Sequence, residues 1–324
     1  MRRFLRLGWV LVGLGAAPAA AQFADEPPPL IDDSLGVFEA LAEAPTGAPS
    51  PSFEDQLYQI INERRMDCAG ANCTCAGNLP PMKRARILHL SSEFHSENMA
   101  IRNFFMHCDP DTGTSSWDRA EDFGWTGWTT FAENIAAGYN DPAAVMAGWM
   151  GSGGHCLAIA STRREVGAGF YQQIGDTGNV RQSATGQCPV QTSSNGPWTE
   201  YWTLNLSSRS AFYPLVIERE RHTTSSTTID LYLYDGGGSN KLMRFSDDGE
   251  SWSSLTSYSA SSVWVVPSGD GVKIIYSEFQ SSTGTKRACD RIWLDSSGST
   301  SDTIFRESFE CGAESLGLWD SAVL

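Results

Sequence analysis

Two histidines and two glutamates stand in local contexts that suit chemistry better than packing. His107 follows Phe104-Phe105-Met106, and Glu133 sits in Ala132-Glu133-Asn134-Ile135-Ala136. His155 closes Trp149-Met150-Gly151-Ser152-Gly153-Gly154-His155, and Glu165 opens Glu165-Val166-Gly167-Ala168-Gly169. The chain has only five histidines, so two of them beside carboxylates mark a candidate polar cavity of His107, Glu133, His155 and Glu165. Neutral imidazoles bind divalent cations, with carboxylates as further ligands or as partners that fix the ring tautomer. His107 and His155 are therefore the candidate ligands for zinc or another divalent cation. The competing reading is a pair of hydrogen-bonded structural histidines. Glu133 reads as a partner of backbone amides and a histidine rather than as a base.

Ser152 precedes His155 by three residues, but Trp-Met-Gly-Ser-Gly-Gly-His is not the Gly-x-Ser-x-Gly elbow of serine hydrolases. A metal-activated water with Glu133 as base ranks above it. Asp109, Asp111 and Gly113 begin like a calcium loop that lacks its terminal glutamate, which makes a turn the simpler reading. His95 is assigned a structural role, and His89 and His222 are read as surface or packing residues.

Helices and strands must carry these groups. Leu57, Ile60 and Ile61 at helical spacing predict a first helix over 53–65. Ile87, Leu90, Phe94, Ile101 and Phe105 step along one face and predict the buried stripe of a second helix. Asp141-Pro142 caps a third, whose stripe is Val145, Met146 and Trp149. Strands follow at 166–172 and 201–206. Trp117, Trp125, Trp128 and Phe131, crowded before Glu133, either line a ligand groove or pack the loop; packing is the reading adopted.

The run His95-Ser96-Glu97-Asn98-Met99-Ala100-Ile101-Arg102-Asn103-Phe104-Phe105-Met106-His107, with the three later motifs, resembles the bacterial branch of the CAP superfamily of cysteine-rich secretory, antigen 5 and pathogenesis-related proteins. It departs from the family pattern at Glu97, where an Asp is usual, and at Ala132, where a Gly precedes the glutamate. The resemblance implies an α-β-α sandwich, closed by a strand at Glu200-Tyr201-Trp202-Thr203, with His107, Glu133 and His155 on its cavity positions. Many eukaryotic members carry a Glu three residues after the conserved Trp. Here that position is Ser152, so a fourth carboxylate is Glu165 or absent. The resemblance also implies that Cys156 pairs with Cys68, Cys73 or Cys75, and that the ligand is a lipid, polysaccharide or peptide.

Composition bounds the rest. A chain of 324 residues, 41% hydrophobic, is long enough for about two domains. Residues 1–21 have the arginines, apolar run and small-residue end of a signal peptide, which predicts a secreted, periplasmic or envelope protein without a transmembrane anchor. Its removal takes the formal charge from −15 to −18, which excludes nucleic acid as a partner. Eight cysteines in an exported chain predict disulfides, with Cys289 and Cys311 paired as the two C-terminal ones. Residues 22–52 form an acidic Pro/Ala-rich leader and 53–208 the sandwich domain. Residues 209–296, with alternating β-formers and frequent turns, predict an all-β, immunoglobulin-like sandwich, and 297–324 a tail motif. Few contacts are expected across the boundary near Ser207–Ser210, so the first domain should fold alone. The expected fold class is α+β. The expected function is a cation-dependent binding module, with a metal-assisted hydrolase of peptide or cell-wall material and a surface adhesion protein as alternatives.

Overall fold

The computed structural model describes residues 48–178, 180–182, 193–210, 214–234, 241–282, 284–298 and 300–301, all within one compact unit, Gly36–Leu324. The expected signal segment, the expected leader as far as residue 47, Cys188, and the tail from residue 302 with Cys311 lie outside them, so the expected Cys289–Cys311 pairing does too.

The first half runs β1 (Ala48–Pro49), α1 (Phe53–Asp67), β2 (Lys83–Arg84), α2 (Arg86–Ile101), β3 (Phe104–Phe105), α3 (Ser116–Asp122), β4 (Trp128–Ala137), α4 (Pro142–Met150), α5 (Gly153–Ile159), β5 (Glu165–Gln172), β6 (Val180–Gln182), β7 (Ser193–Asn195) and β8 (Glu200–Arg209). A four-stranded sheet in the order β2-β5-β8-β4 forms its centre, with β3-β6-β7 as a smaller sheet. Helix α1 starts with a reciprocal cap, Asp55 N–H donating to Ser52 Oγ and Ser52 N–H to Asp55 Oδ2, both at 3.1 Å. As expected, Asp141 caps α4, its Oδ1 accepting from Ala144 N–H at 2.8 Å.

The sheet is covered on both faces, and the two faces differ. On one side α1, α4 and α5 bury an apolar core of Leu57, Ile61, Val145, Met146 and Trp149 against Val166, Trp202, Leu204 and Leu206. On the other side lies α2, with the short α3 beside it, and here the expected stripe is corrected. The helix ends at Ile101, Phe104 and Phe105 are in β3, and Phe94 and Ile101 are exposed. The buried face is instead Leu88, Ser91, Ser92, His95, Ser96 and Met99. Close backbone approach explains the change. A Cβ on Gly167 would lie 2.1 Å from the Leu88 carbonyl carbon, and one on Gly169 would lie 2.2 Å from Glu93 N. Helix and strand touch backbone to backbone, so small hydroxyl side chains fill the seam: Ser92 Oγ donates to Gly167 O and Ser96 Oγ to Gly169 O, each at 3.0 Å.

The second half is β9 (Leu215–Ile217), a 3-10 turn (Glu218–Glu220), β10 (Thr223–Thr224), β11 (Thr228–Leu233), β12 (Leu242–Ser246), β13 (Thr256–Ser257), β14 (Ser261–Val265), β15 (Gly271–Ser281), β16 (Gly284–Leu294) and β17 (Thr300–Ser301). A five-stranded sheet, β10-β16-β15-β12-β13, and a three-stranded one, β14-β11-β9, share one core of Ile217, Ile229, Leu231, Phe245, Ile275, Phe279 and Ile292. The chain is thus of mixed α and β structure. β17 returns to pair in parallel with β1.

The boundary carries more than the sequence suggested. Strand β8 runs unbroken to Arg209, and buried ion pairs join the halves. Lys83 Nζ contacts Asp290 Oδ1 and lies 3.1 Å from Glu220 Oε1, while Arg84 Nε lies 2.7 Å from Glu220 Oε2. Glu218, Arg219 and Glu220 all have left-handed φ of 45°, 57° and 65°, a costly backbone for three side-chain-bearing residues. That turn delivers Glu220 to the junction, and Arg219 O accepts from Asn62 Nδ2 at 3.1 Å.

Candidate functional site

Strand alternation builds the site. Neighbouring side chains on β4 point to opposite faces, so Glu133 and Asn134 serve different partners. Glu133 Oε1 is 2.9 Å from His107 Nδ1, just beyond β3, and Asn134 Nδ2 donates to the backbone oxygen of His155 on α5 at 3.2 Å. One edge strand thereby ties down both histidine-bearing segments.

Arg119 on α3 completes the arrangement. Its Nη2 donates to Glu133 Oε2 at 2.5 Å and its Nη1 to His107 O at 3.0 Å. Both side chains are buried, Arg119 at 3% and Glu133 at 2% exposure. Burial by itself pushes the Glu133 carboxyl up, but Arg119 and the nearby imidazoles outweigh it and hold the group down to about 2. Glu133 is therefore an ionised acceptor, so His107 Nδ1 must be the donor. The lone pair of the neutral ring then sits on Nε2, which makes no hydrogen bond among the described residues.

His155 lies half-buried, its ring also unengaged by hydrogen bonds among the described residues; burial and the His107 charge both lower its pKa. Its helix is anchored from behind by the Cys73–Cys156 disulfide, within the set of pairings the resemblance implied. Cys68 pairs with Cys75, and Cys108 and Cys289 are also disulfide-bonded.

Glu165 is held elsewhere. It is fully buried, Arg209 Nη2 and Nε donate to its Oε1 at 2.6 and 3.0 Å, and Arg209 N–H donates to its Oε2. No hydrogen bond among the described residues joins it to His107, Glu133 or His155. Burial raises its pKa even so. Ser152 is the residue just before α5, at its N-cap, with no side-chain capping bond and none to His155 among the described residues. His95 is structural, as read: buried, with Nε2 2.9 Å from Met106 O and pushed down to about 3 by burial and by Arg119. Asp109 and Asp111 form a turn clamped by Arg102 and Arg181. Trp125 packs inside with its Nε1 on Ser207 Oγ at 2.9 Å, while Trp117 stays half exposed. Arg119 escaped the sequence reading; its signal is that it is the one basic residue between His107 and Glu133. Among the described residues no group of three or more His, Cys, Asp or Glu is placed to hold a metal ion.

Residues 58–183 match the CAP, or cysteine-rich secretory protein, family. That match spans less than half of the chain, and within it the chain is similar to bacterial proteins of the SCP-like type. It is 29% identical over 130 residues to the protein YkwD of Bacillus subtilis, a match covering 39% of this chain and 46% of that relative, so it spans less than half of the relative's length. Similar solved structures include an extracellular SCP-domain protein of Bacillus anthracis, at 21% identity and TM-score 0.34, covering 48% of this chain and 40% of that one. An outer surface protein of Borrelia burgdorferi matches at 16% identity and TM-score 0.35, covering 50% of this chain and 98% of that one. No helix among the described residues is long and apolar enough to cross a membrane.

Proposed function

We propose that this is an exported binding module in which His107 and His155 hold a divalent cation, zinc by preference, through which an extracellular lipid, polysaccharide or peptide docks. The observation that supports it is the hydrogen bond from His107 Nδ1 to an ionised Glu133, itself clamped by Arg119. A carboxylate behind the ring fixes the tautomer that offers Nε2 to a metal and raises its basicity. Low protonation of His155 at neutral pH suits it to the same task. Two imidazoles leave the remaining positions of a tetrahedral ion to water or to a ligand oxygen, so the site recognises rather than encloses. Glu133 and Arg119 cancel in charge, which favours a ligand that brings its own anion.

Hydrolysis by Ser152 has no support in its contacts. Glu133, held near 2, is too weak a base for a metal-water mechanism. Isothermal titration with zinc chloride tests the reading: the wild-type chain binds, His107→Ala and His155→Ala do not, and Glu133→Gln binds about 10- to 100-fold more weakly. Folded wild-type protein, verified by melting, that takes up no zinc overturns it.

A further inference from the structure

Behind Glu133, on the face of the sheet covered by α2, the fold buries polar groups that no described residue satisfies. Asn205 is fully buried, and neither its Nδ2 nor its Oδ1 has a partner. Ser91 Oγ, on a fully buried residue of α2, has none either, and Arg119 Nε is the third.

Register puts the three together. In the β4–β8 ladder Glu133 stands opposite Asn205, and directly opposed residues project to the same face. Gly167 stands opposite Asn205 on the other flank, and α2 crosses that strand with Leu88 against Gly167. Ser91 is on the buried face of α2, next to Ser92 and one turn before His95. His95 itself feels the charges of Arg119 and Glu133. Arg119 enters from α3 with Nη2 on Glu133, the residue that stands opposite Asn205.

Buried amide, hydroxyl and guanidinium groups are almost always hydrogen-bonded, and where protein cannot supply the partner an ordered water with two to four bonds does. The seam has the right chemistry for one. Arg119 Nε–H and the Asn205 amide N–H groups donate, Asn205 Oδ1 accepts, and the Ser91 hydroxyl does either. The backbone contact at Gly167 and Gly169 holds α2 at a fixed height above the sheet, which limits how far the seam can collapse.

We propose that the seam between α2 and the sheet binds internal water bridging Ser91 Oγ, Asn205 and Arg119 Nε, as a permanent polar filling directly behind the Glu133–His107 pair. It uses the observed position of Glu133 and does not depend on the cation reading, so either can fail alone.

The test needs no metal. A high-resolution crystal structure of the full chain should show water density within hydrogen-bonding distance of at least two of Ser91 Oγ, Asn205 and Arg119 Nε. In solution, Arg119 Nε–H and the Asn205 amide protons should show cross-relaxation with a long-lived water, lost in Asn205→Leu. Should that variant not fold, Ser91→Ala, which removes one hydroxyl, should weaken the same signals while leaving the chain folded. Density showing these atoms bonded directly to protein groups with no water between them overturns the proposal. So does an Asn205→Leu protein that melts higher than wild type, because that marks the groups as dry and unpaired.

Discussion

The candidate site and the junction between the two halves both bury glutamates beside cations, yet they end in opposite states. At the site one carboxylate, Glu133, faces Arg119 and the imidazole donor of His107, and is held near 2. At the junction Glu220 faces Lys83 and Arg84 but shares them with Asp290, while Arg84 also pairs with Asp55 at 2.9 Å. Burial and the Asp290 charge raise the Glu220 pKa despite two cations. The ratio of charges decides: one carboxylate served by two donors stays ionised, and three carboxylates sharing two cations do not all gain by it. At the site the surplus of donors leaves one imidazole nitrogen available to a ligand. At the junction every group is engaged in holding the halves together.

Lys83→Met breaks the junction most directly, because it leaves Glu220 and Asp290 facing each other with one cation removed. A loss of about 3–5 kcal/mol is expected from chemical denaturation, as for other buried pairs deprived of one partner. An equal loss should appear in probes of both halves, since the junction belongs to both. A fragment ending near residue 210 that is as stable as the full chain would show that the halves are separable after all.

The next test sets Glu133→Gln against Glu220→Gln. A carboxyl held near 2 against an ordinary 4.5 corresponds to about 3 kcal/mol of preference for the ionised form. Because the folded-state pKa is depressed, that stability is present above about 4.5 and is lost as the pH falls towards 2. His95, lowered from 6.5 to about 3, adds a loss of the same sign that begins below 6.5. Glu220 is raised, so the folded state gains rather than loses by its protonation. Glu133→Gln should therefore cost about 3 kcal/mol at pH 7 and flatten the acid limb below 4.5. Glu220→Gln should cost less than Glu133→Gln at pH 7. Denaturant midpoints across pH check both, and the reverse ranking would mean that the two environments have been misjudged.

Ser152→Ala should do least. Its hydroxyl makes no capping bond, so the change in stability should stay within about 0.5 kcal/mol and zinc binding should be unaltered. Loss of turnover of a peptide or ester substrate in this folded, zinc-binding variant would instead revive a nucleophilic role.

Local signals by themselves determined much of this protein. Asp141-Pro142 marks the start of α4, and His107 and Glu133 are flagged by residue type and context. The staple between Cys73 and Cys156 was implied by the family resemblance and not by any local signal. Tertiary structure decided the rest. The stripe Ile87, Leu90, Phe94 and Ile101 has helical period, yet the buried face is the serine one. Period reports that a helix is two-sided, and only the backbone contact at Gly167 and Gly169 selects the side that small residues must fill. Glu133 and the less secure Glu165 were both candidates as residues; Arg209 claims Glu165 and Arg119 with His107 claims Glu133, and those partners are 44, 14 and 26 positions away in the chain. The junction was invisible for the same reason. Lys83 and Asp290 are 207 residues apart, and no local pattern encodes a charge whose partner arrives only when two sheets and a left-handed turn have been assembled.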